Sequence, residues 1–322
     1  MPGLGLAAGL TALAYGARAA TGLDALSPLI LAAGLGMAWR AVAGRSEQCR
    51  AGTLFASRWL MRLAIVLLGL RITVAQVIEL GAASFAIIAV TLAATYTFTA
   101  WAGATLGVER RLSQLIACGT SICGASAVMA SNSVVAGSDE DVAYAVACVT
   151  VFGSLSMFLY PLLPALLHLD PSAYGLWAGA SIHEVAQVIA ASFQAGPEAG
   201  EAGTIAKLGR VALLLPVVFA LGWSELRRPN HATEARQKPP IPWFVLGFGA
   251  MIAVNSLGVV PVEVAGWGIQ ASGVLLSLAL AALGLETHFG NLLARGWRPL
   301  ALGAVAWIFV SAFSLGLVEA VY

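Results

Sequence analysis

Apolar runs of about twenty residues recur along the chain, each long enough to cross a hydrocarbon core about 30 Å thick. Short polar clusters separate them. The pattern predicts about eleven transmembrane helices, near residues 3–18, 25–43, 57–73, 80–106, 112–136, 141–168, 173–194, 203–225, 241–258, 266–285 and 298–319. The short period-2 segments of a transmembrane β-barrel are missing. The expected fold class is therefore an all-α polytopic membrane protein, with residues 1–322 forming one transmembrane domain. The only long polar stretch is SELRRPNHATEARQKPPIPW. Its Pro239, Pro240 and Pro242 end any helix, so residues at about 226–240 are read as a cytoplasmic linker between two structural halves.

Charge in the loops sets the expected orientation. Basic residues cluster at Arg45, Arg50 and Arg58, at Arg110 and Arg111, at Arg227, Arg228, Arg236 and Lys238, and at Arg295 and Arg298. With the N-terminus inside and eleven full crossings, all of these are cytoplasmic, as the positive-inside rule requires. The acidic clusters, Asp139 to Asp141, Glu198 with Glu201, and Glu263, then lie outside, and the C-terminus is periplasmic. No cleavable signal peptide is expected, because the first apolar stretch lacks a basic n-region and runs into a second span.

Composition narrows the class. The chain is 59% hydrophobic and 10% charged, against about 25% charged in a soluble domain. A net charge of +1 gives no nucleic-acid footprint. Four cysteines are too few for a disulfide framework, and Cys118, Cys123 and Cys148, inside predicted spans, read as small packing residues.

Two internal echoes stand out. VLLGLRITVAQVIELGAASFAIIAV (66–90) matches AALGLETHFGNLLARGWRPLALGAV (281–305) at a constant offset, pairing Gly69 with Gly284, Leu70 with Leu285 and Gly81 with Gly296. The expected spans run in opposite directions, which makes this an inverted repeat of the kind secondary transporters use. Arg71 and Glu286 fall at equivalent span ends, where an interfacial salt bridge or cap is the expected role. The second echo is GTSICGASAVMA (Gly119–Ala130) against GASIHEVAQVIA (Gly179–Ala190). Full crossings give these two the same direction. Re-entrant hairpins would make them opposite and bring Asp139–Asp141 inside; full crossings are the expectation.

Three polar groups within apolar sequence carry the candidate chemistry. CGTSICGASA places Gly119, Gly124, Thr120, Ser121 and Ser126 in mid-span. Glycine lowers helix stability by about 1 kcal/mol, and hydroxyls can re-satisfy freed backbone groups. The cluster reads either as close packing by small residues or as a discontinuous helix whose free N–H groups would receive an anion; the second is favoured. The segment SIHEVAQV puts His183 and Gln187 one turn apart, with Ser181 and Glu184 nearby. An H-E-x-x-H zinc site would need a histidine where Gln187 stands, plus a third ligand. Polar recognition or proton exchange is the better reading of a buried ionisable pair. TIAKLGRVALLLP sets Lys207 and Arg210 one turn apart. They read as snorkelling cations near Glu201 or, deeper in the bundle, as attractors for an anion or for Glu184.

CGTSICGASA, GLWAGASIHEVAQVIAA, TIAKLGRVALLLP, PWFVLGF and ALGLETHF occur in order between about Leu63 and Leu317. In this combination the chain resembles the YeiH (UPF0324-type) family of bacterial inner-membrane proteins, called sulfate exporters from gene context. His183, Glu184, Ala186 and Gln187 look like the family's H-[DE]-x-A-Q. Glu286 departs from it, standing where a basic residue is expected. The resemblance implies two inverted repeats with crossing broken helices, like cation/proton antiporters and bile-acid symporters. It also implies a core domain that moves against a panel domain.

The combined expectation is a multi-pass secondary transporter in the bacterial inner membrane, exporting a small anion such as sulfate, sulfite or a sulfonate. Thr120, Ser121, Gly124, Ser126, Ser181, His183, Gln187, Lys207 and Arg210 are the expected substrate contacts, with His183 and Glu184 coupling protons. No catalytic residue, metal or cofactor is expected beyond a coupling H+ or Na+. The expected partners are the lipid bilayer and the anionic solute, no nucleic acid, and a homodimer is compatible with the reading. The rivals are a cation/proton antiporter and an intramembrane enzyme. The enzyme reading lacks a metal triad, a G-x-S-x-G elbow and paired aspartates within a span.

Overall fold

The computed structural model describes residues 1–21, 27–44, 46–226, 243–287 and 296–322. The expected linker at 226–240 lies almost wholly outside them. The described residues are helical throughout: α1 (Pro2–Thr21), α2 (Pro28–Ala43), α3 (Glu47–Phe55), α4 (Met61–Leu68), α5 (Val74–Glu79), α6 (Gly81–Thr105), α7 (Arg110–Ser121), α8 (Ala125–Val135) and α9 (Asp139–Leu159). These are followed by α10 (Pro164–Leu167), α11 (Pro171–Ser181), α12 (Val185–Gln194), α13 (Pro197–Ala212), α14 (Leu214–Leu226), α15 (Trp243–Ser256), α16 (Val262–Glu286) and α17 (Trp297–Val321).

Six of these runs are long and apolar enough to cross a membrane: Glu47–Arg71, Gly81–Thr105, Asp139–Leu162, Pro197–Ser224, Val262–Glu286 and Trp297–Val321. The first of them joins α3 to α4 through a π-helical turn, Ala56–Leu60, and ends in a 3-10 turn, Gly69–Arg71. The chain is thus a membrane protein whose described residues hold helices and no strand, with shorter apolar helices packed among the long ones.

Two groups of helices emerge from the packing. In the first, α1, α2, α3–α4, α15 and α16 lie against one another. Gly36 and Gly284 bring α2 and α16 into backbone contact: a Cβ on Gly36 would stand 2.3 Å from Ala281 O. Without a hydrophobic driving force in lipid, such close approach by small residues is what holds helices together. In the second group, α7, α8, α9, α11, α12 and α13 are flanked by α6, α14 and α17. A shared apolar cluster, with Ile65, Leu68 and Phe248 on one side and Val185, Ile205 and Val218 on the other, joins the groups. Arg71 ties them at one face through an ion pair to Glu201, 3.0 Å. Glu286, its expected counterpart, accepts a hydrogen bond from the Thr53 hydroxyl at the other face.

Two of the eleven expected crossings do not run through. At the start of α7, Arg111 Nη1 donates to Ala136 O, just past the end of α8, at 2.7 Å. Each arm rises about 15 Å at 1.5 Å per residue, so a continuous crossing would hold these atoms about 30 Å apart. The segment 112–136 is therefore a re-entrant helical hairpin. The same holds for 173–194: the Tyr174 hydroxyl, early in α11, donates to Ala191 O, late in α12, at 3.2 Å. Helix α9 crosses the bundle between them, so the two hairpins enter from opposite faces.

This relocates Asp139–Asp141. The loop returns to the face that carries Arg110 and Arg111 rather than the opposite one. Its acidity has a local cause: Asp139, Glu140 and Asp141 fill the first turn of α9 behind the Ser138 cap, where carboxylates offset the positive end of the helix dipole.

Candidate functional site and family

The hairpin tips meet inside the second helix group. The echo noted in the sequence is exact in register here. Helix α7 stops at Ser121 and α8 starts at Ala125; α11 stops at Ser181 and α12 starts at Val185. Ile122, Cys123 and Gly124 thus correspond to Ile182, His183 and Glu184. Gly124 has φ 64° and ψ −132°, a conformation glycine enters at little cost and other residues seldom adopt. The clustering of glycine and hydroxyls predicts this break, and the chain leaves helical geometry there.

Breaking two helices at membrane depth frees backbone carbonyls that lipid cannot satisfy. Lys207 and Arg210 satisfy them. Both are 0% exposed and sit about 15 Å and about 20 Å along α13. Lys207 Nζ donates to Ile122 O and to Ile182 O, 2.7 Å each. Arg210 donates to Thr120 O at 2.8 Å and Ser121 O at 3.0 Å in one tip. In the other it donates to Gly179 O at 3.2 Å and Ile182 O at 3.4 Å. The two cations therefore cap the negative ends of α7 and α11 together. This removes the snorkelling reading of Lys207, since Glu201 is taken by Arg71. It also corrects the expected Lys207–Glu184 pair: Lys207 spends its hydrogen bonds on carbonyls, and Glu184 is hydrogen-bonded elsewhere.

Glu184, 7% exposed, caps the start of α12 and reaches across to the other tip. Its Cγ lies 2.6 Å and its Oε1 3.3 Å from where a Cβ on Gly124 would stand. Its carboxylate faces the Ala125 N–H at the start of α8. The Thr150 hydroxyl of α9 donates to Glu184 Oε1 at 3.1 Å. Gln187 locks the turn: its Oε1 accepts from Glu184 N at 3.1 Å, while its Nε2 donates to Thr150 O and to Ser154 Oγ, both 3.2 Å. Gln187 fits here because Gly153 leaves room; any Cβ at that position would collide with its amide oxygen.

The remaining expected site residues divide. Thr120 and Ser121 are at the tip, but their carbonyls are the groups in use, and the Ser121 hydroxyl turns back to Cys118 O at 3.4 Å. The Ser181 hydroxyl likewise donates to Trp177 O at 2.6 Å. Ser126, in the first turn of α8, is exposed. His183 is 1% exposed and its Nδ1 has no hydrogen-bond partner. Sequence reasoning missed Thr150, Ser154 and Gly153. The only signal was the small and polar run within VTVFGSLS, which an apolar span also uses for packing.

The arrangement has the parts an anion site needs. Two positive helix ends, those of α8 and α12, come together, and the two nearby negative ends are neutralised by buried cations.

Comparison with known proteins places the chain. Residues 2–303 match the family described as conserved hypothetical protein 698. A UPF0324 membrane protein of Bacillus cereus is 37% identical over 301 residues, covering 92% of this chain and 88% of that one. The inner membrane protein YeiH of Salmonella typhi is 38% identical over 331 residues, covering 98% and 93%. YeiH of Escherichia coli K12 is 35% identical over 331 residues, covering 99% and 94%. No solved structure matches. With the family match covering nearly the whole chain and these relatives aligned end to end, the protein belongs to the UPF0324 (YeiH) family of bacterial membrane proteins.

Proposed function

We propose that this protein is a secondary transporter that exports a small sulfur oxyanion, such as sulfate, sulfite or a sulfonate, across the bacterial inner membrane. The observation that carries the reading is the meeting of two half-membrane hairpins, entered from opposite faces, over the buried Lys207 and Arg210. Discontinuous helices whose N-termini converge near the midplane are a means of binding an anion away from water. The substrate would lie at the starts of α8 and α12, contacting Gly124, Ser126 and His183, with Gln187 holding the turn behind them. Lys207 and Arg210 act at one remove, by cancelling the carbonyl ends that would otherwise repel an anion.

Alternating access in this reading moves the hairpins and α13 as one body against α1–α4, α15 and α16, in the manner of an elevator. The opposed hairpins support an inverted repeat, since a pseudo-twofold axis in the membrane plane relates elements entering from opposite sides. The basic face, with Arg50, Arg110, Arg111 and Arg298, is the cytoplasmic one. The N-terminus is then cytoplasmic and the C-terminus periplasmic.

Radiolabelled sulfate, sulfite and sulfonate flux in proteoliposomes, at set pH and sodium gradients, tests this. Saturable flux of one oxyanion, lost in Lys207→Ala at equal protein content, supports it. Flux of sodium against protons, indifferent to oxyanions, would overturn it in favour of a cation/proton antiporter, the reading the buried Glu184 carboxylate favours.

A further inference from the structure

The paired breaks differ at one position above all, where Gly124 in one hairpin corresponds to Glu184 in the other. The two residues touch: the Glu184 side chain lies over the Gly124 backbone, with its carboxylate at the N-terminal end of α8. A carboxylate there holds the place an incoming anion would take, since both are drawn by the same free N–H groups and dipole end. We propose that Glu184 is a built-in occupant of the anion position: it holds the start of α8 when no substrate is present and, taking up a proton, yields that position to an oxyanion dianion. One proton then enters with each dianion bound. The proton comes from solvent and forms an O–H bond on the Glu184 carboxylate; no other covalent bond changes. The proposal rests on the anion-transport reading above.

Charge counting supports the exchange. Lys207 and Arg210 contribute +2, the carbonyl ends of α7 and α11 about −0.5 each, and the N-terminal ends of α8 and α12 about +0.5 each. The meeting point therefore carries about +2 without Glu184 and about +1 with its carboxylate ionised. A dianion is matched only when the glutamate is neutral.

A second observation points to a ligand at the same loop. His183 Nδ1, in the residue next to Glu184, is buried without a hydrogen-bond partner, a condition native structures seldom leave unanswered. The charged and titratable groups around Glu184 are Lys207 on α13, Cys123 on the opposite tip and His183 beside it, with Arg210 beyond Cys123. From α9 it meets the neutral Thr150. Lys207 and Arg210 are fixed by carbonyls from both tips, which leaves Glu184 as the charge free to change.

The test is calorimetry of sodium sulfate binding to the full-length protein in lipid nanodiscs, in two buffers of different ionisation enthalpy and across a pH series. Wild type is expected to take up close to one proton per sulfate, with Kd weakening about tenfold per pH unit on the alkaline side. Glu184→Gln is expected to bind sulfate with no proton uptake and a nearly flat pH profile. A flat profile in wild type, or an unchanged slope in Glu184→Gln, would overturn the proposal while leaving the anion reading in place. If neither sulfate, sulfite nor methanesulfonate binds wild type, the anion reading itself fails and this proposal with it. Should Glu184→Gln not fold, His183→Gln decides: a retained proton count assigns the proton to Glu184, and a lost one assigns it to the histidine and overturns the proposal.

Discussion

The two hairpins share a plan and differ in chemistry. Both stop at Ser-Ile and restart three residues later, and both surrender their freed carbonyls to the same two cations on α13. One tip is made of small residues, with Gly124 in a conformation few side chains tolerate and Ser126 exposed. The other is made of polar residues held in place: Glu184 by Thr150, and Gln187 by α9 and the turn itself. The difference teaches how the tips divide their labour in the proposed site. One supplies a bare helix end, and the other supplies the group that covers it.

Arg210→Ala strikes what the tips share and should have the largest effect. It strands the carbonyls of Thr120 and Ser121 in one hairpin and of Gly179 in the other, and each buried acceptor left without its donor costs about 1–3 kcal/mol. Thermal unfolding in micelles should show a sharply lowered Tm, with Arg210→Lys recovering part of it. An unchanged Tm would mean that the tips do not depend on α13.

Lys207→Ala comes next. Ile122 O loses its donor and Ile182 O keeps only the longer bond from Arg210, for about 1–3 kcal/mol by the cost of leaving a buried acceptor unmade. Flux per folded molecule should fall to background, and Lys207→Arg should restore only part, because a planar guanidinium does not replace a point donor shared by two tips. Wild-type flux in Lys207→Ala would remove the cation pair from the mechanism.

Gly124→Ala separates the two tips. Strain at its positive φ costs of order 1–3 kcal/mol, and the new Cβ would press on Glu184 Cγ. Stability should fall modestly, and the pH dependence of flux should shift more than in Gly119→Ala, whose added Cβ meets Val149 and Val128 instead. Equal pH profiles in the two variants would break the pairing of Gly124 with Glu184.

Ser126→Ala should be the mildest. An exposed side chain with no structural partner changes stability by less than about 0.5 kcal/mol. A rise in KM with kcat retained would place the hydroxyl on the substrate; unchanged kinetics would confine the site to the backbone ends and the other tip.

Much of this was legible in the sequence, and what was not has physical reasons. Helical membrane class followed from the length of the apolar runs. The breaks followed from Gly119, Gly124 and their hydroxyl neighbours, and from an echo in which Ser121-Ile122 recurs as Ser181-Ile182. Whether 112–136 crosses or turns back was not legible, because hydropathy counts apolar residues and is blind to a reversal of direction. The Arg111–Ala136 contact decides it. The acidic Asp139–Asp141 misled for a related reason, since a helix start attracts carboxylates on either side of a membrane. Lys207 and Arg210 were visible as charges, but their partners are backbone carbonyls, which have no letter in a sequence. Thr150, Ser154 and Gly153 were hidden among hydroxyls and glycines that a span also uses for packing.

The shared cations also bear on how the protein is made. Ile122 is separated from Lys207 by 85 residues. At about 5–20 residues per second, the first hairpin emerges on the order of ten seconds before the side chain that completes it. Over that interval its broken tip holds carbonyls that lipid cannot satisfy, so it cannot settle in the bilayer in its final form. Maturation of the first hairpin therefore waits for α13, and a ribosome halted before Lys207 would present a chain with both hairpins and neither of the cations that join them.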